Sequence, residues 1–536
     1  MPSATLAAAA TAATAATAPR RSLRAALTLL TLLGLAACGG GSVEATRSFS
    51  LDEKLVLQQA RFDQVQQRLA ERHADTRVPL AQRSIGREQW ERWLTPPPSQ
   101  AFSAADLAQL QARQARQVQA SRALALQRSS IDLQALRAQP AEQAQPLMRQ
   151  FCQAMPKGGM LHVHPWGNLT PQTYRMLLEQ RNPVIDAAAL LQTLSNRQGR
   201  AWLYPEELAW LAGLPAQTRY LALAQADRER LVALAELPPG AHRFERFEAI
   251  FRLIALAIGD DWDRLVQSYD AFAQRAQQAG LSYIEFTESI APEEVARYEA
   301  LAQRLQARYG LTVRFNNAFF RTDAASLQDA QVQAMLAQPP SPYIPGIDLL
   351  ADESDTPALE HGQAVYGPVL AQVRLRGMPW RRTMHAGELG DARNPRDALL
   401  LGAERLGHGV RLIDDPLTLE YAASRAVPVE VGLSSNLQLG AVQELSRHPF
   451  LTYLRLGLPV SLATDDEGMF ATDIVNDCVR AVGQTDVTYH ELKEMALNSL
   501  RSSFAQEEVK ARLLQRLQQD FTRFEQSPAF LALPRR

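Results

Sequence analysis

Cysteine is nearly absent, with 3 in 536 residues, which excludes a disulfide-built framework. No Cys-x-x-Cys pair occurs. Neither a closed cysteine zinc finger nor the cysteine-held zinc site of cytidine-type deaminases is therefore available. Charge of one sign is lacking as well: 56 Lys and Arg face 57 Asp and Glu, a formal net charge of −1. No broad positive field exists to attract nucleic acid. Histidine is scarce, at 9, so each one is informative. What the chain does have is 46% hydrophobic residues, enough to bury a large core.

The first forty residues read as targeting. Arg20, Arg21 and Arg24 precede an apolar run from Ala25 to Ala37. That run matches a signal-peptide core and is too short to span a bilayer. It ends in Leu35-Ala36-Ala37-Cys38, followed by Gly39-Gly40-Gly41. This resembles the lipobox of bacterial lipoproteins, in which cleavage before Cys38 leaves that cysteine lipid-modified. The expectation is a signal peptide over 1–37 and a flexible tether over 38–50. The lipid on Cys38 would hold the protein to a membrane of the bacterial cell envelope, periplasmic or at the surface. Cys152 and Cys478 remain. An envelope location permits a disulfide, but the two are far apart in sequence and read as buried free thiols.

Residues 51–150 are rich in Ala, Gln, Arg and Leu, good helix formers at helical spacing. Pro96-Pro97-Pro98 interrupts them. This region reads as a helical cover for the main domain. From Lys157 onward short β-prone runs alternate with helical stretches, the texture of βα units and a parallel sheet. Strands are expected at Met160–His164, Ser282–Phe286, Thr312–Phe315 and Tyr343–Leu349. Four more are expected at Arg382–His385, Arg405–His408, Val427–Val431 and Val460–Thr464. The fold class is α/β: a TIM (β/α)8 barrel over 151–520 with a long helical insertion after strand 1 and a helical N-terminal extension. Polar residues gather at the strand ends, where barrel chemistry sits: His162 and His164, Glu288, Asp348, His385, His408, Ser434 to Asn436, and Asp465. The insertion, over a hundred residues long by this reading, would rise over the mouth as a lid.

Residues at i and i+2 of a strand share a face, so His162 and His164 can meet one ion. His385, in Thr383-Met384-His385-Ala386-Gly387-Glu388, and Asp465, in Thr464-Asp465-Asp466, close two further strands. Three imidazoles and one carboxylate suit one Zn2+ per chain, with a position left for water. Glu388, His408 and Asp466 stand beside these ligands in sequence. Displacing ammonia from an aromatic ring requires activated water, a proton donor to the ring, and a group that handles the remaining protons. These three are the right types.

The motifs together resemble the adenosine deaminase family, and within it the adenosine deaminase-related growth factors. Met155 to His164, His385 to Glu388, Arg405 to Gly409, Ser435 to Gly440 with His448-Pro449, and Ser461 to Asp466 occur in family order. The resemblance implies that His162, His164, His385 and Asp465 bind zinc. It implies that Glu388 protonates the purine ring, that His408 positions and deprotonates the metal water, and that Asp466 hydrogen-bonds the imidazole part of the purine. The implied partner is a small-molecule purine nucleoside, adenosine or 2′-deoxyadenosine, converted to the inosine product plus ammonia. Five residues at four sites depart from the pattern. Trp166 replaces the acidic residue that holds the ribose, and Ala351 replaces a glycine whose N–H meets the purine. Gly432-Leu433 replaces Cys-Pro, and Glu467 replaces a proline. His164, Trp166, Ala351 and Asp466 are thus the expected substrate-binding residues. A modified nucleoside, a nucleotide or another cyclic amine is the alternative substrate. A surface protein that binds nucleosides without turnover is the alternative of another class.

Overall fold

The computed structural model describes residues 48–194, 201–238, 240, 244–354 and 356–536. The expected signal peptide, the lipid site Cys38 and most of the tether lie outside the described residues. Ten strands occur among them: β1 Gly158–Met160, β2 Val184–Ile185, β3 Thr218–Arg219, β4 Leu281–Glu288, β5 Thr312–Phe320, β6 Gly346–Leu350, β7 Arg381–Ala386, β8 Arg405–His408, β9 Val429–Gly432 and β10 Val460–Ala463. β2 and β3 form a small antiparallel pair inside the insertion. The other eight run in the order β1-β4-β5-β6-β7-β8-β9-β10, every neighbouring pair parallel. With helices between and around them, this is the (β/α)8 barrel expected from the alternating texture.

The barrel closes in an unexpected way. β1 ends at Met160, so His162 and His164 lie beyond the regular strand and not within it. The extended segment after β1 bridges both neighbours. The Thr287 amide donates to the Val163 carbonyl at 2.9 Å, and the His164 amide donates to the Asp465 carbonyl at 3.1 Å. Pro165 stops the ladder there, because it has no N–H to give.

The helical N-terminal region is part of the same body. Leu51, Leu55, Phe62, Val65 and Leu69 recur at helical spacing on one buried face of the helix Leu51–Arg72. That helix packs against Ala358–Arg376, and the helix Ala104–Arg128 packs against Phe450–Leu456. Trp90 is fully buried, and its indole N–H donates to Asp397 Oδ1 at 3.1 Å. The Asp132 amide donates to the Pro534 carbonyl at 2.8 Å, which ties the N-terminal region to the C-terminal residues.

Among the described residues, the insertion between β1 and β4 carries six α-helices, from Pro171–Arg181 to Trp262–Gln278. It rests on the loop after β10. Phe247 stacks on Phe470 with centroids 5.2 Å apart, and the Leu237 amide donates to the Met469 carbonyl at 2.8 Å. Arg275, on the last of these helices, pairs with the buried Glu467 at 3.2 Å and donates to the Asn168 carbonyl at 2.8 Å.

One expectation is overturned. Cys152 and Cys478 are not free thiols; they form a disulfide, with Cα atoms 5.8 Å apart. Sequence separation hid this, because the helix Ala141–Ala154 lies against the helix Ile474–Gln484 only in the folded barrel. The purified protein should show neither Cys152 nor Cys478 reacting with a thiol reagent until it is reduced. The C152S/C478S variant should be less stable by about 2–4 kcal/mol in denaturant unfolding. Two freely titrating thiols in the unreduced native protein would disprove the cross-link.

Candidate active site

At the C-terminal ends of the strands, ligand atoms of His162, His164, His385 and Asp465 lie within 4.8 Å of one another. His164 Nε2 is 3.2 Å from His385 Nε2 and 3.2 Å from Asp465 Oδ1, and His162 Nε2 is 3.5 Å from the same oxygen. The geometry suits a cation. His162 Nε2 is buried without a hydrogen-bond partner. Burial pulls its imidazole toward the neutral form, but Asp465 and Glu430 outweigh that and hold it well above the usual histidine range. A metal ion in the cluster would replace that proton, and the donor set of three nitrogens and one carboxylate oxygen fits zinc.

Two carboxylates to which the sequence motifs assign no role aim these ligands. His162 Nδ1 lies 2.9 Å from Glu430 Oε2, and His385 Nδ1 lies 3.1 Å from Asp348 Oδ1. Such partners fix the tautomer and ring orientation of a ligating histidine. Glu430 is held in turn. Arg405 Nε sits 2.5 Å from Glu430 Oε1 while its other arm reaches Glu285 Oε2 at 2.6 Å, and Thr383 donates to Glu430 at 3.0 Å. Burial raises the Glu430 carboxyl, and Arg405 and His162 more than offset it, so the net shift is downward. Asp348 likewise accepts from Thr287 Oγ1 at 3.0 Å. A signal for Glu430 existed in sequence: it is a charged residue between Val429 and Val431 in a short apolar strand, and only an inward partner could justify it.

The three expected catalytic groups converge on the same place. Glu388 and His408 bring ligand atoms within 4.8 Å of Asp465. Burial, with help from Asp465 and Glu353, pushes the Glu388 carboxyl well above the ordinary carboxylate range. Its backbone is clamped by Glu353, whose carboxylate accepts from the amides of Gly387 at 2.7 Å and Glu388 at 3.1 Å. His408 accepts at Nδ1 from Asn436 Nδ2 at 3.0 Å, and its Nε2 is buried without a partner. Gly407 is needed beside it, because a Cβ there would come 2.9 Å from the His162 ring. Burial and the neighbouring Asp465 raise Asp466, and both of its carboxyl oxygens are buried without partners. Gly167 lies so close to Asp466 that an added Cβ would overlap the carboxyl.

Left-handed non-glycine backbone occurs here. His408 at φ 61° and Asp465 at φ 64° are left-handed. Ala351 is left-handed too, at φ 91°, so the alanine keeps a glycine-like backbone despite its methyl. Trp166 is partly buried against the core, and its indole N–H donates to the Glu288 carboxylate. Tyr269 also donates to Glu288, at 3.0 Å, and burial lifts that carboxyl to about 7.

Because Glu430 and Asp348 act through ligand orientation, E430A and D348A should weaken metal affinity by about 10- to 100-fold. Zinc competition against a chromophoric chelator measures this. Affinities equal to the parent's would show that neither carboxylate orients a ligand.

The adenosine deaminase family model matches residues 213–520. Adenosine deaminase of Shigella flexneri serotype 5b (strain 8401) is 26% identical over 370 residues, covering 67% of this chain and 96% of that protein. Adenosine deaminase of Klebsiella pneumoniae (strain 342) is 26% identical over 359 residues with the same coverage. Among solved structures, the fold is similar to adenine deaminase from Arthrobacter aurescens, with TM-score 0.52, 23% identity, and coverage of 68% of this chain and 99% of that one. It is also similar to Arabidopsis ADAL complexed with IMP, with TM-score 0.51, 18% identity, and coverage of 70% and 99%. With eight parallel strands around a buried His/Asp cluster able to hold a metal, and a family match over more than half its length, the chain belongs to the adenosine deaminase family of metal-dependent hydrolytic aminohydrolases.

Proposed function

We propose that this protein is a zinc-dependent deaminase of adenosine or 2′-deoxyadenosine. The observation that carries the reading is the placement of two buried acids, Glu388 and Asp466, beside the cation cluster, the Asp466 oxygens without any partner. Glu388 and Asp466 are both pushed up by burial first, which favours the protonated form that can donate to a ring. An adenine ring offers unprotonated ring nitrogens that accept from such donors. A guanine ring carries a hydrogen on N1 and would set donor against donor. Zinc, when bound, lowers the pKa of a water to about 7 and so supplies hydroxide near neutral pH. Everything else belongs to this chain. Glu388 holds the proton destined for the ring nitrogen next to the amine-bearing carbon. Asp466, buried under Gly167, grips the far side of the ring. His408 hydrogen-bonds the attacking water. The insertion excludes solvent, since its helices pack on the loop that carries Asp466.

A second reading keeps this chemistry on an N6-modified nucleoside or a nucleotide. Trp166 and Ala351 favour it, since each alters a position expected to touch substrate. The structural neighbours include an Arabidopsis N6-mAMP deaminase and ADAL bound to IMP. Adenosine, 2′-deoxyadenosine, adenine, AMP and N6-methyladenosine, compared by release of ammonia or methylamine, separate the readings. Highest kcat/KM is expected on adenosine or its 2′-deoxy form. Zinc-loaded protein inert toward the first two but active on another member would move the assignment to that compound. E388Q should retain zinc and lose about 10³-fold in kcat, and an active E388Q would remove Glu388 from its role.

We also infer that the enzyme works outside the cytoplasmic membrane, anchored through Cys38. The lipobox-like sequence supports this, as does the Cys152–Cys478 disulfide, a bond that persists in oxidising compartments. Labelled palmitate should enter the parent protein in a bacterial host, and C38S should stay unlabelled. Equal labelling of both would remove the anchor.

A further inference from the structure

We infer that His448 and Asn436 fix the tautomer of His408, so that His408 faces the reacting water as an N–H donor. A main-chain amide sets the polarity, because it can only donate. The backbone N–H of Phe450 points at His448 Nδ1, 3.2 Å away, so that nitrogen accepts. His448 is buried, and burial pulls its imidazole down to about 3. It is therefore neutral, and its one hydrogen sits on Nε2.

His448 Nε2 lies 3.0 Å from Asn436 Oδ1. A nitrogen that must donate needs an acceptor opposite it, so the amide of Asn436 is oriented with its oxygen toward His448. Its NH2 group then faces His408 Nδ1, 3.0 Å away. An amide NH2 only donates, so His408 Nδ1 accepts. In a neutral imidazole that leaves the hydrogen on Nε2. His408 Nε2 is the nitrogen that is buried and finds no partner in the protein. Its ring stands 4.6 Å from the His162 ring and 5.2 Å from the His385 ring.

The chain of polarity therefore runs from a main-chain amide through two side chains to the nitrogen beside the cation cluster. Every side chain in it is buried, so solvent cannot supply an alternative partner. This differs from the role implied by family resemblance, in which His408 takes a proton from the water. A ring with Nδ1 engaged by Asn436 and a hydrogen on Nε2 can stabilise negative charge on an oxygen, but cannot accept from it. His448 touches no reacting group, and Asn436, besides His408, reaches only the rim of one, Glu388 Oε1 at 3.5 Å, which also lies 3.5 Å from His408 Nδ1. They are positioning residues.

The inference rests on the proposed reading only in placing the reacting water beside His408, and its test does not need a substrate. The protein is labelled with 15N-histidine, and the tautomer of His408 is read from two-bond 1H–15N correlations. H408Q identifies its signals by their loss. The parent protein, with and without zinc, should show His408 neutral with hydrogen on Nε2. In N436D the carboxylate can only accept, and the hydrogen should move to Nδ1. Kinetically N436D should lose about 10²-fold in kcat, with KM and zinc content close to the parent's. H448L, which leaves Asn436 in place but removes its anchor, should give a mixture of both tautomers. Hydrogen on Nδ1 in the parent, or a tautomer unmoved in both variants, would overturn the inference. An enzyme with no activity on any purine would overturn the substrate reading and leave the tautomer result standing.

Discussion

One hydrogen bond organises the molecule: the His164 amide donating to the Asp465 carbonyl. It is the seam at which the last strand of the barrel meets the segment leaving the first. The residues at that seam belong to the cluster able to hold a metal on both sides, with His162 and His164 on one and Asp465 on the other. Closing the sheet and assembling the ion site are thus one event. A parallel sheet left open would strand unpaired amides and carbonyls, so the folding drive that satisfies the backbone also delivers the imidazoles to the carboxylate. His385 then enters from β7, across the interior.

Beneath that seam the barrel interior is polar where most barrels are packed with branched aliphatics. Glu285, Arg405 and Glu430 form a buried ionic chain, capped by Phe504, whose ring lies 3.6 Å from the Arg405 guanidinium carbon. Such a chain is a weak source of stability, because desolvating the charges costs about what their attraction returns. Its value here is geometric. Glu430 must stay ionised and stationary to hold His162, and Arg405 makes both possible in a place that water cannot reach. Charge is divided by environment across the site. Glu430, Asp348 and Asp465, whose arginine or histidine neighbours outweigh burial, shift downward. Glu388 and Asp466, which face other carboxylates, shift upward. The acid and ligand roles proposed for these groups follow from what each one touches.

The loops above the strands carry the cost of this arrangement. Left-handed backbone at His408, Asp465 and Ala351 falls at or just past a strand end. The insertion and the N-terminal helices supply the packing that holds such positions. Arg275 and Asn168 tie the insertion to the loop after Asp466, and Glu467 makes this possible where a proline would offer neither carboxylate nor amide. The departure at Glu467 is therefore accounted for by a contact.

Much of this was legible in the linear chain. Short β-prone runs marked the eight strands, and histidine scarcity made His162, His164 and His385 conspicuous. Their positions at strand ends followed from the barrel rule, because strand ends in a parallel barrel all face one mouth. The disulfide, the orienting carboxylates and the polarity chain to His408 were not legible. Each depends on residues more than ten positions apart meeting at hydrogen-bond or covalent range, and local propensity contains no term for that. Sequence alone decided which chemistry the chain can carry, since donor types and their spacing are written residue by residue. Only the tertiary structure decided which carboxyls are pushed toward the protonated form and which nitrogen of His408 faces a donor, because both depend on burial and on partners that folding brings together.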